Sequence, residues 1–412
     1  MSCQSGKWRE KLEADQVLAP LPHMPSQHNK VLRLLDTERA LNQMLDHLDT
    51  QSLVALDTEA DSLFHYYPKV CLIQLSARAN ESDAVEDYLV DPLRLDNLQT
   101  LGVCLARPGV EVVMHAAEND IVLMQRDFGF AIHKIFDTQM AARILGWPRA
   151  GLAAILEEQF GVLSNKRMQR TDWSRRPLSP EQLAYATNDT HYLLQLRDVL
   201  IEELKAAGRW EEALDAFEQI VSNHAQADPT EARTFWDMKA TRDVSRAQHG
   251  LLQALWEWRE AEAQHRDLPP FKIANDSVLV ALTEAAPATR SQLSHIPGMS
   301  SYVEARYGVA ILKVVQQGLR RPVPALPAPR RRSEERLDPA DQARFDVLRD
   351  WRNRVAEQRG VSLEIVFNTA TLVAIAQRDP KSLADMADIA GMTPWKLRAY
   401  GEAILAVPGG KQ

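Results

Sequence analysis

The sequence has few cysteines, no long apolar run and no phosphate-binding glycine loop. Cys3, Cys71 and Cys104 form neither a disulfide framework nor a CxxC zinc motif, so we expect a reducing compartment, the cytoplasm. The stretch from Met1 to Pro25 is polar and lacks the apolar segment of a signal peptide. No apolar run is long enough to cross a bilayer, so no membrane partner is expected. The sequence contains no GxxxxGK[ST] motif, so we expect no nucleotide-driven motor.

The composition is that of an ordinary globular protein. The chain has 412 residues, of which 45% are hydrophobic and 25% are charged. This length exceeds one typical hydrophobic core, so we expect two or three domains. The net charge of −8 argues weakly against a nucleic-acid coat protein. It does not exclude an enzyme that acts on nucleic acid, because binding depends on local basic patches.

The first half of the chain has the pattern of an α/β domain. Short apolar runs predict strands at 53–56, 70–75, 87–90 and 110–114. Helical patterns follow at 95–105, 119–128, 138–145 and 152–160. This order of elements predicts a mixed sheet flanked by helices.

After about residue 208 the chain is almost wholly helical and contains an internal repeat. Trp258-Arg259 recurs as Trp351-Arg352, an offset of 93 residues, and further pairs keep the same register without a gap. These further pairs are Asn275 and Asn368, Leu279 and Leu372, Pro287 and Pro380, Ile296 and Ile389, Gly298 and Gly391, Met299 and Met392, and Tyr307 and Tyr400. We infer two copies of one small helical module. A Pro- and Arg-rich segment between the copies predicts a semi-rigid linker.

These patterns divide the chain into five segments. We predict a flexible tail over 1–28, the α/β domain over 29–207, and a connecting helix with the first module over 208–320. The linker covers 321–336 and the second module 337–412.

Two acidic motifs follow predicted strands. Asp57 and Glu59 are two residues apart, so on a strand their side chains point to the same face. Asp120 falls in the first turn of a helix, where the helix dipole favours a carboxylate. Taken alone, each motif has a common structural explanation, an acidic strand end for the first and a helix start for the second.

The third motif lies on a helix that begins near Pro180. Ser179 is a good N-cap, Pro180 suits the first helical position, and Gln182 completes a capping box. Tyr185 and Asp189 then share one helical face. A tyrosine at such a position is more often a packing residue, so this motif too is weak alone.

Taken together, the three motifs resemble the DEDD superfamily of 3′→5′ exonucleases. The Tyr-x-x-x-Asp spacing of Tyr185 and Asp189 is that of its tyrosine branch. The match to the ribonuclease D family extends to Lys166, Gln169, Asp172-Trp173, Arg176-Pro177-Leu178 and Gln182, and the helical repeat resembles a pair of HRDC modules. The resemblance implies a ribonuclease H-like exonuclease domain followed by two small all-α HRDC bundles.

The resemblance also implies a chemistry. Asp57, Glu59 and Asp189 would hold one divalent cation, Mg²⁺ or Mn²⁺. Asp57 would bridge to a second cation supported by Asp120, and Tyr185 would position the attacking water. Oxygen ligands suit these hard cations, and four clustered carboxylates raise each other's pKa when no cation is bound.

The implied partner is RNA with a free 3′ end, above all tRNA precursors and small structured RNAs, and the implied state is a monomer. Further candidates for contacting this RNA lie in or near the motifs: Thr58, His115, Lys166, Gln169, Trp173 and Arg176. Basic residues there suit phosphates, and Trp173 suits base stacking. The alternative is a solvated loop for the basic stretch that contains Lys166 and Arg176, and packing for Trp173. For His115 it is a structural role, since metal sites of this class use oxygen ligands.

Other residues leave two interpretations open. The aromatic stretch 64–67 suits either contact with terminal bases or cover for the sheet edge. Arg320-Arg321 and Arg330-Arg331-Arg332 suit either phosphate contacts or an exposed linker. Trp258 and Trp351 are predicted to lie in the cores of the two modules, and Gly298 and Gly391 in turns.

Two alternative functions use the same residues. A DNA exonuclease of this superfamily would have the same cation site and would differ in contacts to the 2′-OH. An inactive RNA-binding scaffold would be a decayed form of the fold, which the presence of all four carboxylates and Tyr185 disfavours.

Overall fold

A computed structural model describes residues 34–79, 84–225, 234–326 and 337–407 of the chain. The predicted tail at 1–28 and the arginines at 330–332 lie outside the described residues. Within the described ranges, no helix is both long and apolar enough to cross a membrane.

A six-stranded mixed sheet forms the centre of the first domain. Its strands lie in the order β1-β4-β3-β2-β5-β6. The β2–β3 and β3–β4 pairs are antiparallel, whereas β1–β4, β2–β5 and β5–β6 are parallel. The strands are β1 (Leu34–Leu35), β2 (Leu53–Ala60), β3 (Val70–Arg78), β4 (Val85–Val90), β5 (Glu111–Met114) and β6 (Ile135–Asp137). The sheet and the helical region that follows it confirm the predicted fold class.

Helices cover both faces of this sheet. They are α1 (Glu38–Leu48), α2 (Gln99–Leu105), α3 (Glu118–Phe128), α4 (Thr138–Leu145), α5 (Leu152–Phe160), α6 (Pro180–His191), α7 (Leu193–Ala206) and α8 (Trp210–Ala225). Helix α6 packs against β2, β3 and β4, while α7 contacts β2 and β5. Helix α6 therefore covers the part of the sheet that carries Asp57 and Glu59.

Two boundaries differ from the predictions for local reasons. Strand β2 does not end at Asp57 but continues to Ala60, because Asp57, Thr58 and Glu59 pair with β3. Helix α2 begins at Gln99 rather than at Leu95, because the Asn97 side chain accepts a hydrogen bond from the Gln99 amide and forms a turn there. The two short strands β1 and β6 were not predicted.

The two helical modules have equivalent cores. The first contains α9 (His249–Arg266), α10 (Pro270–Ile273), α11 (Asp276–Ala285), α12 (Arg290–Leu293) and α13 (Ser301–Gly318). The second contains α14 (Pro339–Arg359), α15 (Leu363–Val366), α16 (Thr369–Arg378) and α17 (Pro394–Leu405). Trp258 meets Tyr307 edge-on at 5.7 Å, and Trp351 meets Tyr400 in the same way at 5.7 Å. This equivalence confirms the repeat inferred from the sequence, whereas the five segment boundaries stay predictions.

Both modules contact the exonuclease domain, through different surfaces. In the second module, Arg359 forms an ion pair with Glu212 on α8, and Arg143 on α4 pairs with Glu364 at 2.7 Å. In the first module, Asp267 at the end of α9 accepts hydrogen bonds from the loop after β2. The repeated fold is therefore fixed to the sheet domain at two unrelated places.

Candidate active site

Strand β2 carries the first two carboxylates of the site. Asp57 and Glu59 alternate with Thr58, so both carboxylates leave the strand on one face. The Thr58 hydroxyl donates a short hydrogen bond to the carboxylate of Asp120, in the first turn of α3. The strand thus supplies two acidic groups and positions a third.

Helix α6 supplies the fourth carboxylate and the tyrosine. Its start has the predicted capping box, in which Ser179 and Gln182 exchange side-chain and backbone hydrogen bonds. Tyr185 and Asp189 are both buried one turn apart, and their side chains interact with each other. The capping box fixes where the helix begins and therefore which of its residues face β2.

Three of these carboxylates converge. Ligand oxygens of Asp57, Glu59 and Asp189 all lie within 4.8 Å of one another. Asp120 lies outside this group of three but is close enough to raise the pKa of Asp57. The structure thus brings all four predicted acidic residues and Tyr185 into one site.

The electrostatics of the site are those of crowded, poorly hydrated anions. Burial, followed by repulsion from Asp120, Asp189 and Glu59, raises the pKa of Asp57 well above its usual range. Burial, followed by repulsion from Asp189 and Asp120, raises the pKa of Glu59 to about 9. Burial raises the pKa of Asp189 to about 7 and that of Asp120 to about 6. Such a group is fully ionised near neutral pH only with compensating positive charge.

A divalent cation fits this donor set. The converging atoms are hard carboxylate oxygens, which Mg²⁺ and Mn²⁺ prefer, and the described residues around them add no Cys or His ligand. No Lys or Arg is among the causes that shift the pKa values of Asp57 and Glu59. A bound cation would therefore supply the positive charge that the neighbouring side chains do not.

His115 directly follows β5, and both of its ring nitrogens lie near hydrogen-bonding groups. Its Nδ1 is 2.9 Å from the Thr138 hydroxyl, which itself donates to the Met114 carbonyl. Nδ1 must therefore carry the proton, and Nε2 is the acceptor that Gln139 approaches at 3.4 Å. Burial lowers the pKa of His115 to about 4, so the ring is neutral near pH 7.

The segment before α6 divides into exposed and buried candidates. Lys166 and Gln169 are exposed, and the Gln169 side chain interacts with that of Tyr185. Trp173 is completely buried and packs 6.3 Å from the Tyr185 ring, so it does not present a face for base stacking. Arg176 forms a two-point ion pair with Asp91, at 2.6 and 2.7 Å, and donates to the Cys71 carbonyl. The structural alternative therefore applies to Trp173 and Arg176.

The aromatic stretch after Glu59 makes contacts that neither of the two interpretations of the sequence included. His65 Nδ1 lies 2.7 Å from the Asp267 carboxylate, and the Tyr66 amide donates to the same carboxylate. The Tyr66 hydroxyl donates to Glu260 at 3.0 Å. The stretch therefore contacts the first helical module, which no local sequence signal could reveal.

Asp137 is a supporting residue that the sequence reasoning missed. Its carboxylate accepts hydrogen bonds from the amides of Ala116 and Ala117 and also caps α4 through Met140. Ala116 has a left-handed φ of 59°, so this turn needs such support. The turn leads directly into α3 and so sets the position of Asp120. The available signal was an aspartate just before a helix, which is common for caps.

Comparison with known proteins agrees with this geometry. A 3′-5′ exonuclease family model matches residues 32–205, and the HRDC domain model matches 248–315 and 341–407. The ribonuclease D of Gluconacetobacter diazotrophicus is 30% identical over 381 residues, which is 92% of this chain and 93% of that protein. The ribonuclease D of Acidiphilium cryptum is also 30% identical, with 92% and 93% covered.

A solved structure shares the whole architecture. The crystal structure of Escherichia coli RNase D, described as an exoribonuclease involved in structured RNA processing, superposes with a TM-score of 0.67 at 26% identity. The match covers 91% of this chain and 98% of that one. The sheet with its carboxylate group defines the class as 3′-5′ exonucleases. Within that class, the chain belongs to the ribonuclease D family.

Proposed function

We propose that this protein is a 3′→5′ exoribonuclease that removes nucleotides one at a time from a free RNA 3′ end. The products would be nucleoside 5′-monophosphates. The observation that carries the proposal is the convergence of Asp57, Glu59 and Asp189 within 4.8 Å in a chain of the ribonuclease D family. We further propose tRNA precursors and small structured RNAs as substrates, a monomeric state and a cytoplasmic location.

The four carboxylates would hold two divalent cations, Mg²⁺ or Mn²⁺. Asp57, Glu59 and Asp189 suit the first, and Asp57 with Asp120 suits the second. When bound, such cations acidify the attacking water and stabilise charge on the phosphate and the leaving oxygen. Thr58 would keep Asp120 in place through its hydroxyl.

Tyr185 would orient the attacking water rather than deprotonate it. Burial and the neighbouring carboxylates raise the pKa of its phenol, so the hydroxyl stays protonated at neutral pH. The hydroxyl lies beside the carboxylates of Asp189, Glu59 and Asp57, whose charges add to the effect of burial on its pKa. A hydroxyl at this place can hold a water against the carboxylate group.

Among the other candidates, Lys166 and Gln169 remain proposed substrate contacts because both are exposed. His115 remains a proposed contact through its neutral ring, whose Nε2 would exchange its long hydrogen bond from Gln139 for one from a ribose hydroxyl. Trp173 and Arg176 would act indirectly, by fixing the segment that carries Gln169.

A time course on labelled oligomers tests the proposal. A tRNA with a 3′ extension and a matched DNA, both labelled at the 5′ end, are incubated with Mg²⁺, with Mn²⁺ and with EDTA. We expect a cation-dependent ladder that shortens the RNA from its 3′ end and leaves the DNA intact. A ladder on DNA alone would assign a DNA exonuclease, and binding without cleavage of either would assign a scaffold.

A further inference from the structure

Gln74 lies beside the carboxylate group with an amide that has no hydrogen-bond partner among the described residues. The side chain is completely buried, and neither its Nε2 nor its Oε1 is paired. Buried amides in folded proteins are almost always hydrogen-bonded, because water no longer solvates them. Within the described ranges, Gln74 is the one side chain whose donor and acceptor are both in this state. It therefore requires an explanation.

The position of Gln74 in the sheet points to the active site. In the antiparallel β2–β3 ladder, Gln74 is directly opposite Asp57, so both side chains leave the sheet on the same face. The two nearest residues on that face of β3, Leu72 and Ser76, both have contacts on the side of the sheet that α6 covers. Leu72 packs in the cluster of Trp173 and Tyr185, and the hydroxyls of Ser76 and Thr190, on α6, are hydrogen-bonded to each other. The Gln74 amide thus lies between the sheet and α6, as the carboxylates do.

An unpaired amide at this position does not help the fold. An apolar side chain of similar shape would fill the same space without a buried polar group to satisfy. A partner that is present only in the functional state explains why an amide is tolerated. An ionised carboxylate is such a partner, because it accepts hydrogen bonds with both oxygens.

We propose that Gln74 is a positioning residue of the cation site, whose Nε2 donates to the Asp57 carboxylate, directly or through one buried water. This inference rests on the proposed cation-dependent function and adds an outer contact to it. Such contacts orient the ligands of bound metal ions and typically change metal affinity by about 10- to 100-fold when they are removed.

The test compares Gln74→Met with Ser76→Ala. Methionine keeps the length of the side chain without its amide, and Ser76 is a buried residue of the same strand with its hydrogen bonds made. The unfolding temperature is measured in EDTA, and Mn²⁺ binding is measured by calorimetry without RNA. We expect Gln74→Met to unfold at the same or a higher temperature in EDTA and to bind Mn²⁺ about tenfold more weakly. Ser76→Ala should unfold at a lower temperature and bind Mn²⁺ as the wild type does.

Unchanged Mn²⁺ affinity in Gln74→Met would overturn the inference, as would a loss of stability in EDTA as large as that of Ser76→Ala. If the methionine variant does not fold, Gln74→Leu takes its place; failure of both would show that the amide is needed for the fold itself. A wild type that binds Mn²⁺ but does not degrade RNA would refute the proposed function and leave this inference standing. A wild type that binds no Mn²⁺ would refute both.

Discussion

Asp57 and Asp91 are two carboxylates of the exonuclease domain, and their surroundings are opposite. Asp91 receives two hydrogen bonds from the Arg176 guanidinium, and the side chains of this pair are only 1% and 12% exposed. Asp57 is surrounded by Asp120, Asp189 and Glu59. The first arrangement supplies its own counter-charge and stabilises the fold. The second leaves the counter-charge to be bound, which is what a cation site requires and what the fold alone would not favour.

The largest expected effect comes from removing charge from the unpaired group. Asp57→Asn should lower turnover by at least about 10³-fold, because about 4 kcal/mol of stabilisation of the reaction's charge would be lost with the cations. The same change should raise the unfolding temperature in EDTA, since it relieves repulsion among the carboxylates. Rates on 3′-labelled RNA and thermal unfolding measure the two effects.

Asp91→Asn is the matched control, because it removes the same charge from the paired site. It should lower the unfolding temperature and leave the rate per folded molecule nearly unchanged. A similar loss of stability in both variants would refute the contrast between the two sites.

The second effect concerns Arg176, which the sequence presents as a phosphate contact. Arg176→Met should lower the free energy of unfolding by about 3 kcal/mol, because it leaves Asp91 buried without its partner. RNA affinity of the folded fraction should change little. Denaturant unfolding and RNA titration separate the two quantities. If affinity falls while stability is kept, Arg176 is a phosphate ligand after all.

The sequence predicted the elements of the site better than their surroundings. The spacing of Tyr185 and Asp189, together with the capping box at Ser179, was sufficient to place both on one face of α6. Local rules of this kind depend on a few residues within one or two turns. Helix α4 was likewise predicted at its observed bounds, from its local helical pattern.

Contacts between distant segments could not be predicted in this way. Arg176 has the same local pattern whether it meets a phosphate or Asp91, and the two residues are 85 positions apart. The extension of β2 through Glu59 depends on the pairing with β3, which no property of residues 57–60 encodes. The contact of the 64–67 stretch with the first module likewise depends on how the two domains pack against each other.

A third effect is on the pH dependence of stability. Burial and repulsion raise the pKa of Glu59 to about 9, and burial raises that of Asp189 to about 7, whereas carboxyls of the unfolded chain titrate near 4. Between about pH 4 and 9 the folded, cation-free protein therefore binds more protons than the unfolded chain does. Glu59 and Asp189 therefore contribute to the stability of the folded protein at low pH, and this contribution is lost as the pH rises through their pKa values.

Thermal unfolding in EDTA between about pH 5 and 9 measures this dependence. The unfolding temperature should fall with pH by several degrees more in the wild type than in Glu59→Gln, which lacks one of the raised groups. Saturating Mn²⁺ should remove most of the difference, because the cation and the protons compete for the same oxygens. Parallel curves for both proteins in EDTA would contradict the assigned repulsion.

The smallest effect is expected from an exposed, paired carboxylate, Asp267. Its contacts with His65 and Tyr66 join the first module to the loop after β2, and the hydrogen bond from His65 holds the pKa of Asp267 below its usual range. The Asp267 side chain is 53% exposed, so solvent and salt screen this pairing. Asp267→Asn should therefore change the free energy of unfolding by less than about 1 kcal/mol. Turnover should fall only a few-fold, since the amide keeps an acceptor for the Tyr66 backbone.

Denaturant unfolding at low and high salt measures the change in the free energy of unfolding of Asp267→Asn. A loss as large as that of Arg176→Met would show that exposure does not separate the two pairs.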